Sequence, residues 1–154
     1  MSTSVSMKWK ESAAAVKWNI QPFINGRYRP SSATQHYDNI NPATELVLCH
    51  VPAGNAADID EAVRVARQRF NEGSWSRWPP ARRAQVLLKL AELIVKHSGE
   101  LALLDTLEMG KPIQLSRSDA EYLSPTYLRS WAEVADKLLG ASASLSTGSG
   151  IQHV

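Results

Sequence analysis

The stretch LLDTLEMGKPIQ, residues 103–114, places Gly-Lys-Pro directly after an apolar helical run. A Gly-Lys pair is often part of a phosphate-binding loop, but such a loop has further glycines before the lysine and a helix that begins after it. Here the helical run comes first, and Pro112 lacks the N–H group that a phosphate cradle would use. We therefore predict that Gly110 is the left-handed residue that ends a helix and that Pro112 stops the helix from continuing.

Two more helices are predicted before this one. The first has apolar residues at helical spacing. Asp58 and Glu61 have the spacing of an N-terminal capping box for this helix, and Gly73 is suited to end it. The start of the second is indicated by Pro79-Pro80, where the missing proline N–H would be unpaired in any case, and its apolar face is wide. The helix that runs into the opening stretch is expected to be capped by Ser98.

Pro125 influences the predicted structure of the segment that follows Pro112. Pro125 would cost about 3 kcal/mol inside a helix, because a hydrogen bond is lost and the ring clashes with the preceding turn. We predict that Ser124 caps a new helix with Pro125 at its first position, and that residues 118–123 form an irregular or separate turn. The apolar residues on one side of this helix are Tyr127, Trp131, Val134 and Leu138.

Extended structure is predicted in the first 55 residues. Asn25-Gly26 tolerates the positive φ values of a tight turn and indicates a β-hairpin. After a turn at Asn41-Pro42, an alternating run with Val47, Cys49 and Val51 on one face predicts a second strand pair or an edge strand. These strands are expected to lie beside about four helices, which pack around Leu87, Leu88, Leu101, Leu104 and Trp131.

Composition narrows the class of protein and its partners. The chain has 154 residues, 44% of them hydrophobic and 21% charged, which is typical of a globular protein with about one domain. A net charge of +2 without a basic run argues against nucleic acid as a partner. Cys49 is the only cysteine, so we expect no intrachain disulfide and a reducing cytosol. We predict no metal site, no signal peptide and no membrane contact, because no histidine has ligand spacing and no segment is long and apolar enough.

Several residue groups resemble catalytic or binding sites but have simpler interpretations. Cys49 and His50 are adjacent, and adjacent residues on a strand point to opposite faces, so they are not expected to form a nucleophile and its base. Asp105 and Glu108 are expected to belong to a solvated helix face. The aromatic loop GSWSRWPP, residues 73–80, is expected to anchor itself on the next helix rather than form a stacking surface.

Five segments occur in a fixed order along the chain: FINGRY, NPATELVLCHVPAGNAADIDEAVRVARQRF, RRAQVLLKLAELI, LALLDTLEMGKPI and LRSWAEVADKLLG. In this order they resemble the aldehyde dehydrogenase superfamily over about residues 23–140. No single segment is decisive, but five in register leave little room for chance. The amino-terminal extension and the wording ELALLDTLEMGKPI look most like the subgroup that oxidises γ-glutamyl-γ-aminobutyraldehyde in putrescine breakdown.

The resemblance implies an α/β fold. Within it, this chain is the amino-terminal part of a Rossmann-like cofactor-binding domain and is itself mostly α-helical, with an amino-terminal β-hairpin and strand element. The expected division is an extension over residues 1–20, part of the cofactor-binding domain over 21–140, and the truncated start of an oligomerisation hairpin over 141–154. The complete enzyme is expected to use NAD or NADP, to act on an aldehyde, and to form a homodimer or homotetramer.

The chemistry of the family requires residues that this sequence does not match. A cysteine thiolate attacks the aldehyde, hydride passes to the nicotinamide, and a glutamate activates the water that releases the acid, while a backbone N–H and an asparagine hold the oxyanion. By the resemblance, these residues and the cofactor's glycine-rich turn all follow the segments present here. The chain alone is therefore expected to bind no cofactor and to be inactive. The alternative is a non-catalytic helical interaction module derived from the family.

The resemblance suggests one candidate substrate site. Tyr122, Leu123 and Tyr127 match the segment that lines the mouth of the aldehyde tunnel, although they could instead be ordinary core residues. Two departures from the family are visible. Glu45 follows Asn-Pro-Ala-Thr where the family usually has glycine, so a different turn is expected, and Pro125 stands about one helical turn later than the usual proline.

Overall fold

The computed structural model describes residues 3–137, 142–144 and 151–153. Its elements in chain order are α1 (Thr3–Ala14), β1 (Phe23–Ile24), β2 (Arg27–Tyr28), β3 (His36–Ile40), β4 (Val47–Pro52), α2 (Ala56–Glu72), α3 (Pro80–Lys96), α4 (Ser98–Met109), α5 (Ile113–Ser118), a π-helical turn (Asp119–Leu123), α6 (Ser124–Val134), β5 (Ser142–Ser144) and β6 (Ile151–His153). The strands form three separate antiparallel pairs. As predicted, helices dominate and strands occur near the amino terminus; no parallel sheet occurs within the described ranges.

The first hairpin has the predicted turn. Asn25 and Gly26 have φ values of 56° and 75°, which are the left-handed conformations that an Asn-Gly pair accepts readily. Across the two short strands, the rings of Phe23 and Tyr28 meet edge to face with centroids 5.0 Å apart. The turn and this aromatic pair together define the hairpin.

The second hairpin, β3–β4, contains a bulge that the alternating pattern did not reveal. Asn39 pairs with Cys49, but the next residue, Ile40, pairs with Val47, so Leu48 is an extra residue in β4. Since Asn39 and Ile40 point to opposite faces, Val47 and Cys49 do so as well. The prediction that Val47 shares the face of Cys49 is therefore wrong.

In the turn between β3 and β4, the residue after Asn-Pro-Ala-Thr has left-handed backbone although it is not glycine. Glu45 itself takes the left-handed conformation, with φ at 59°. Its N–H donates to the carbonyl of Asn41 at 2.8 Å, while the Asn41 side chain accepts the N–H of Ala43 at 2.9 Å. A glutamate thus occupies a backbone position that favours glycine.

Helix α2 begins one turn earlier than its predicted cap. The side chain of Asn55 accepts the N–H of Asp58 at 3.0 Å, and Asp58 accepts the N–H of Asn55 at 3.2 Å, which together form a capping box. The predicted box of Asp58 with Glu61 is wrong, because Asp58 already lies in the first turn. Gly73 ends the helix with φ at 65°, as predicted.

Helix α4 ends at the Gly-Lys-Pro sequence. Gly110 has φ at 74° and donates its N–H to the carbonyl of Thr106 at 3.0 Å, so it ends the helix as predicted. Pro112 immediately precedes α5. At the other end, His97 occupies the cap position and Ser98 is the first helical residue, so the prediction that Ser98 caps α4 is wrong.

Pro125 lies in a helical path that is continuous from α5 to α6. Ser118, Leu123 and Ser124 all have right-handed helical backbone, and Ser124 donates its N–H to Asp119 in the wide hydrogen bond of a π turn. Ser124 is the first residue of α6 and forms no side-chain capping bond, so the prediction that it is a cap is wrong, whereas the predicted separate turn is present as the π turn (Asp119–Leu123). One wider turn accommodates the proline without ending the helix. Of the residues expected on one side of α6, Leu138 lies outside the described residues.

The core is made mainly of small side chains. Of the residues predicted to form it, Leu88, Leu101 and Trp131 are 40%, 41% and 65% exposed, so the predicted core is wrong for these three. Leu87 and Leu104 are half-buried. Helices α3 and α6 form the most extensive pairing, and small residues allow such helices to approach closely. The buried hydrophobic residues of the described part are Val65, Ala91, Ala102, Leu103, Ala120 and Ala132.

Candidate functional site

The candidate tunnel residues lie on the surface of the described chain. Tyr122 and Leu123 end the π turn, and Tyr127 lies in the first turn of α6. Their side chains are 68%, 48% and 61% exposed. Their role in lining the tunnel stays a prediction.

The helical segment that carries Tyr122, Leu123 and Tyr127 is packed against neighbouring helices on its opposite side. Ala120 and Pro125 are buried, so the π turn and the start of α6 are packed against neighbouring helices. Arg117 adds an ion pair with Glu121 at 2.6 Å, one helical turn along the same surface. Buried small residues and a local ion pair thus hold the backbone that presents the two tyrosines.

Lys111 of the Gly-Lys-Pro sequence is bound by carboxylates of the chain and does not lie in a phosphate-binding loop. Its ammonium group contacts the carboxylate of Asp119 and lies 3.6 Å from that of Asp105. The hydrogen bond to Asp119 raises the pKa of Lys111, and the charge of Asp105 acts in the same direction. Two carboxylates therefore hold the lysine between the end of α4 and the π turn.

The two carboxylates that are predicted to lie on a solvated face of α4 both accept hydrogen bonds from other elements of the fold. Asp105 accepts a 2.8 Å hydrogen bond from Ser116, whose hydroxyl is buried on α5. Glu108 accepts a 3.0 Å bond from the side chain of Asn39 on β3. Glu108 is exposed, as predicted, whereas Asp105 is half-buried, so the prediction of a solvated face is wrong for Asp105 alone. Sequence spacing could not reveal these contacts, because each partner belongs to a different element.

Cys49 and His50 do not form a catalytic pair. The imidazole Nδ1 of His50 lies 2.6 Å from the carboxylate of Asp38, its partner across the hairpin, and both side chains are exposed. Cys49 is half-buried on the neighbouring position of β4. An Asp-His pair without a nucleophile on the same face does not provide nucleophilic catalysis.

A polar network joins the loop after β2 to the start of α2. Arg29 and Arg64 both bind Glu61, at 2.8 Å and 2.7 Å, and their hydrogen bonds, chiefly those of Arg64, lower the pKa of Glu61 to about 2. Ser31 donates a 2.6 Å bond that lowers the pKa of Asp58. The network consists of paired charges that fasten a loop to a helix, and its carboxylates are held in their ionised form.

The described residues do not fit a dinucleotide. The pyrophosphate of NAD or NADP needs a glycine-rich turn between a parallel strand and a helix. Within the described ranges every strand belongs to an antiparallel pair, and no such turn precedes α2, α3 or α4. The same part of the chain holds no group of three metal-ligating side chains, and none of its helices has the length and apolar character that crossing a membrane requires.

Sequence comparison identifies the family. Residues 28–153 match the Aldehyde dehydrogenase family, which is most of the chain. The chain belongs to the aldehyde dehydrogenase family. The family predicted from the five ordered segments is thereby confirmed, and with it the expectation that the chain represents the amino-terminal part of the family domain.

Relatives and solved structures agree with this assignment. The chain is 37% identical over 139 residues to the NADP/NAD-dependent aldehyde dehydrogenase PuuC of Escherichia coli, covering 90% of this chain and 28% of PuuC. It resembles the crystal structure of the aldehyde dehydrogenase KauB from Pseudomonas aeruginosa, with a TM-score of 0.84 and 35% identity over 92% of this chain and 28% of KauB. For the γ-glutamyl-γ-aminobutyraldehyde dehydrogenase of Burkholderia cenocepacia, the TM-score is 0.79 with 33% identity, covering 91% of this chain and 28% of that enzyme.

The chain therefore spans somewhat more than a quarter of the length of these relatives. The α/β fold class predicted by the resemblance is confirmed by the structural neighbours.

Proposed function

We propose that the chain is part of an NAD(P)-dependent enzyme that oxidises an aldehyde to a carboxylic acid. The observation that carries the proposal is the family match over residues 28–153, supported by 37% identity to an enzyme named as an NADP/NAD-dependent aldehyde dehydrogenase. The expected aldehyde is γ-glutamyl-γ-aminobutyraldehyde from putrescine breakdown. The structural likeness to the Burkholderia cenocepacia enzyme of that name supports this choice.

Within the enzyme, the chain would provide helices and a binding surface rather than the reacting groups. Residues 1–20 are proposed as an extension, 21–140 as part of the cofactor-binding domain, and 141–154 as the start of an oligomerisation hairpin. The complete enzyme is proposed to be a cytoplasmic homodimer or homotetramer. The chain alone is proposed to be inactive, because Cys49 lacks a base on its own face and the described residues do not fit NAD.

The proposed role of Tyr122, Leu123 and Tyr127 is to line the path of the aldehyde. Their exposure on a backbone fixed by buried Ala120 and Pro125 supports this role, because a binding surface needs accessible side chains on rigid support. Such residues contact the substrate away from the reacting carbon. Their loss should weaken binding more than it slows the chemical step.

A chimeric enzyme tests the proposal. Residues 21–140 of this chain would replace the matching segment of the Escherichia coli relative, and reduced cofactor would be followed with γ-glutamyl-γ-aminobutyraldehyde and with short aliphatic aldehydes. We expect turnover, with preference for the γ-glutamyl substrate. Tyr127→Ala in the chimera should raise KM several-fold with little change in kcat, whereas Tyr37→Ala, at a tyrosine of similar exposure on β3, should change neither.

The same experiment separates the enzyme from the alternative, a non-catalytic helical interaction module. The many exposed apolar side chains on the described helices are the observation that favours a module. A chimera that folds and assembles like the parent enzyme but gives no turnover would contradict the enzymatic proposal. Equal loss in the Tyr127 and Tyr37 variants would contradict the tunnel role alone.

A further inference from the structure

Lys111 is enclosed by other elements to a degree that is rare for a lysine. Its side chain is 27% exposed, whereas the other lysines in the described part of the chain are all exposed. Its backbone is fixed on both sides, because Gly110 ends α4 in the left-handed conformation and Pro112 immediately precedes α5. The side chain therefore leaves the backbone at a defined point between two helices.

The ammonium group of Lys111 joins the end of α4 to the start of the π turn. It contacts the carboxylate of Asp119, the first residue of the turn, and lies 3.6 Å from the carboxylate of Asp105 on α4. Asp105 is held in turn by the buried Ser116 of α5, whose hydroxyl donates to it at 2.8 Å. These contacts link three consecutive elements through charged and polar groups of the chain itself.

Asp119 is the residue at which the helix widens. Its side chain binds Lys111, while its carbonyl accepts the N–H of Ser124 in the wide hydrogen bond of the π turn. A π turn contains one residue more than an α turn, so it rotates the side chains that follow by about 100° around the helix axis. The residue at which the widening begins therefore decides which side of the helix the later side chains occupy.

We propose that Lys111 is a positioning residue for the aldehyde path. By holding Asp119, it fixes the start of the π turn and with it the directions of Tyr122 and Tyr127, which follow within eight residues. Pro125 favours a wider turn, because its ring would clash with the preceding turn of a regular helix, but it does not determine where the widening begins. This inference rests on the proposed role of the two tyrosines in binding the aldehyde.

Lys111 acts through Asp119 and does not itself contact the substrate. Without its ammonium group, Asp105 and Asp119 would be two half-buried carboxylates that have lost the cation they share. Their repulsion and their exposure to water would move the start of the π turn away from α4. The tyrosines would then point in altered directions while the rest of the helix remained folded.

Steady-state kinetics of the chimeric enzyme tests this role. Lys111→Met keeps an unbranched side chain without the charge, and it should raise KM for γ-glutamyl-γ-aminobutyraldehyde about fivefold while kcat changes less than about twofold. A variant that merely folds less well would lose active enzyme and lower the apparent kcat at unchanged KM. Lys89→Met is the matched control, because it removes an exposed ion pair with Glu92 on α3 and should alter neither constant.

A double-variant cycle shows whether Lys111 acts through Asp119. Asp119→Asn removes the charge that Lys111 binds and should raise KM about as much as Lys111→Met does. If both act through one contact, the double variant should show about the same fivefold increase, rather than the product of about 25-fold that independent effects would give. A multiplicative increase would overturn the inference.

Amide hydrogen exchange in the full 154-residue chain measures the π turn without any turnover. Lys111→Met should speed exchange over residues 119–127 at least about fivefold and leave residues 60–72 of α2 unchanged, whereas Lys89→Met should change neither segment. Unchanged exchange over 119–127 would overturn the inference. So would an unchanged KM for Lys111→Met in a chimera whose Tyr127→Ala variant does raise KM.

Failure of the proposed function gives a different result. A chimera without turnover, or one in which Tyr127→Ala leaves KM unchanged, would contradict the enzymatic proposal or the tunnel role. The exchange measurement would then still decide whether Lys111 holds the π turn.

Discussion

A Cβ atom added to Gly110 would lie 3.0 Å from Cγ of Pro42. The turn between β3 and β4 therefore rests directly on the residue that ends α4. The hydrogen bond from Asn39 to Glu108 joins the same two elements. Asn-Pro-Ala-Thr and Gly-Lys-Pro, two of the segments that resemble the family, thus contact each other. This contact requires glycine at position 110.

Gly110→Ala should lower the free energy of unfolding by about 1 to 2 kcal/mol. The left-handed φ of 74° is costly for any residue with a Cβ, and the proline ring must also move. Urea unfolding at one fixed protein concentration measures the change. Gly99→Ala is the matched control within α4, because its new Cβ meets no atom within 4 Å, and it should leave stability unchanged or raise it slightly.

Glu45→Gly should raise the free energy of unfolding by up to about 1 kcal/mol, because glycine adopts the observed φ of 59° without strain. Glu45→Ala removes the same side-chain atoms beyond Cβ but keeps the strained conformation, so it should have little effect. Urea unfolding compares the two variants. Equal stabilisation by alanine and glycine would show that the side chain, rather than the backbone, is responsible.

The helix ends show what the sequence could predict. Gly73, Gly110 and Pro80 mark their helix ends because their conformational limits are local properties of the residue. The sequence places the cap of α2 three residues late, because Asn55 and Asp58 are both good cap residues and only the observed hydrogen bonds decide between them. The sequence predicts a turn before Pro125 but not its π-helical form, because a helix that widens to accept Pro125 has no local sequence signal distinct from a helix that restarts.

Ala91→Leu should lower the free energy of unfolding by about 1 to 3 kcal/mol. Ala91 is fully buried on α3, the helix that pairs most extensively with α6, and there is no room for three more carbon atoms. Ala81→Leu introduces the same side chain at an exposed position in the first turn of α3 and should be close to neutral. Chemical unfolding of both variants under identical conditions provides the comparison.

The core composition also explains why the predicted core failed. A helical wheel identifies Leu88, Leu101 and Trp131 as apolar, but it does not show which apolar face meets a helix within the same chain. Four of the six buried hydrophobic residues of the described part are alanines, whereas these three large residues are exposed. Likewise, the surface position of Tyr122 and Tyr127 could be anticipated only through the family resemblance, because periodicity alone treats them as helix residues like any others.

Acid should destabilise the chain through Glu61. Its pKa in the folded chain is lowered from an ordinary 4.5 to about 2, so its stabilising contribution is complete above pH 4.5 and is lost as the pH falls toward 2. Glu61→Gln should therefore flatten the fall in unfolding midpoint across this window. Glu133→Gln removes one exposed carboxylate of α6 as a control. A wild type and a Glu61→Gln variant with parallel pH profiles would contradict this account.

The isolated chain should neither oxidise aldehydes nor behave as a monodisperse monomer. Several hundred Å² of apolar surface left in water forfeits on the order of 10 kcal/mol, which is comparable with the whole stability of a domain. Among the described residues, Phe70, Leu46 and Trp131 are more than 60% exposed, and four of the six buried hydrophobic residues are alanines. Light scattering should show association, and the melting midpoint should rise with protein concentration because assembly stabilises the folded state.

Incubation with NAD and γ-glutamyl-γ-aminobutyraldehyde should give no reduced cofactor. Turnover that Cys49→Ala abolishes would refute the first half of this prediction, and a sharp, concentration-independent melt of a monomer would refute the second.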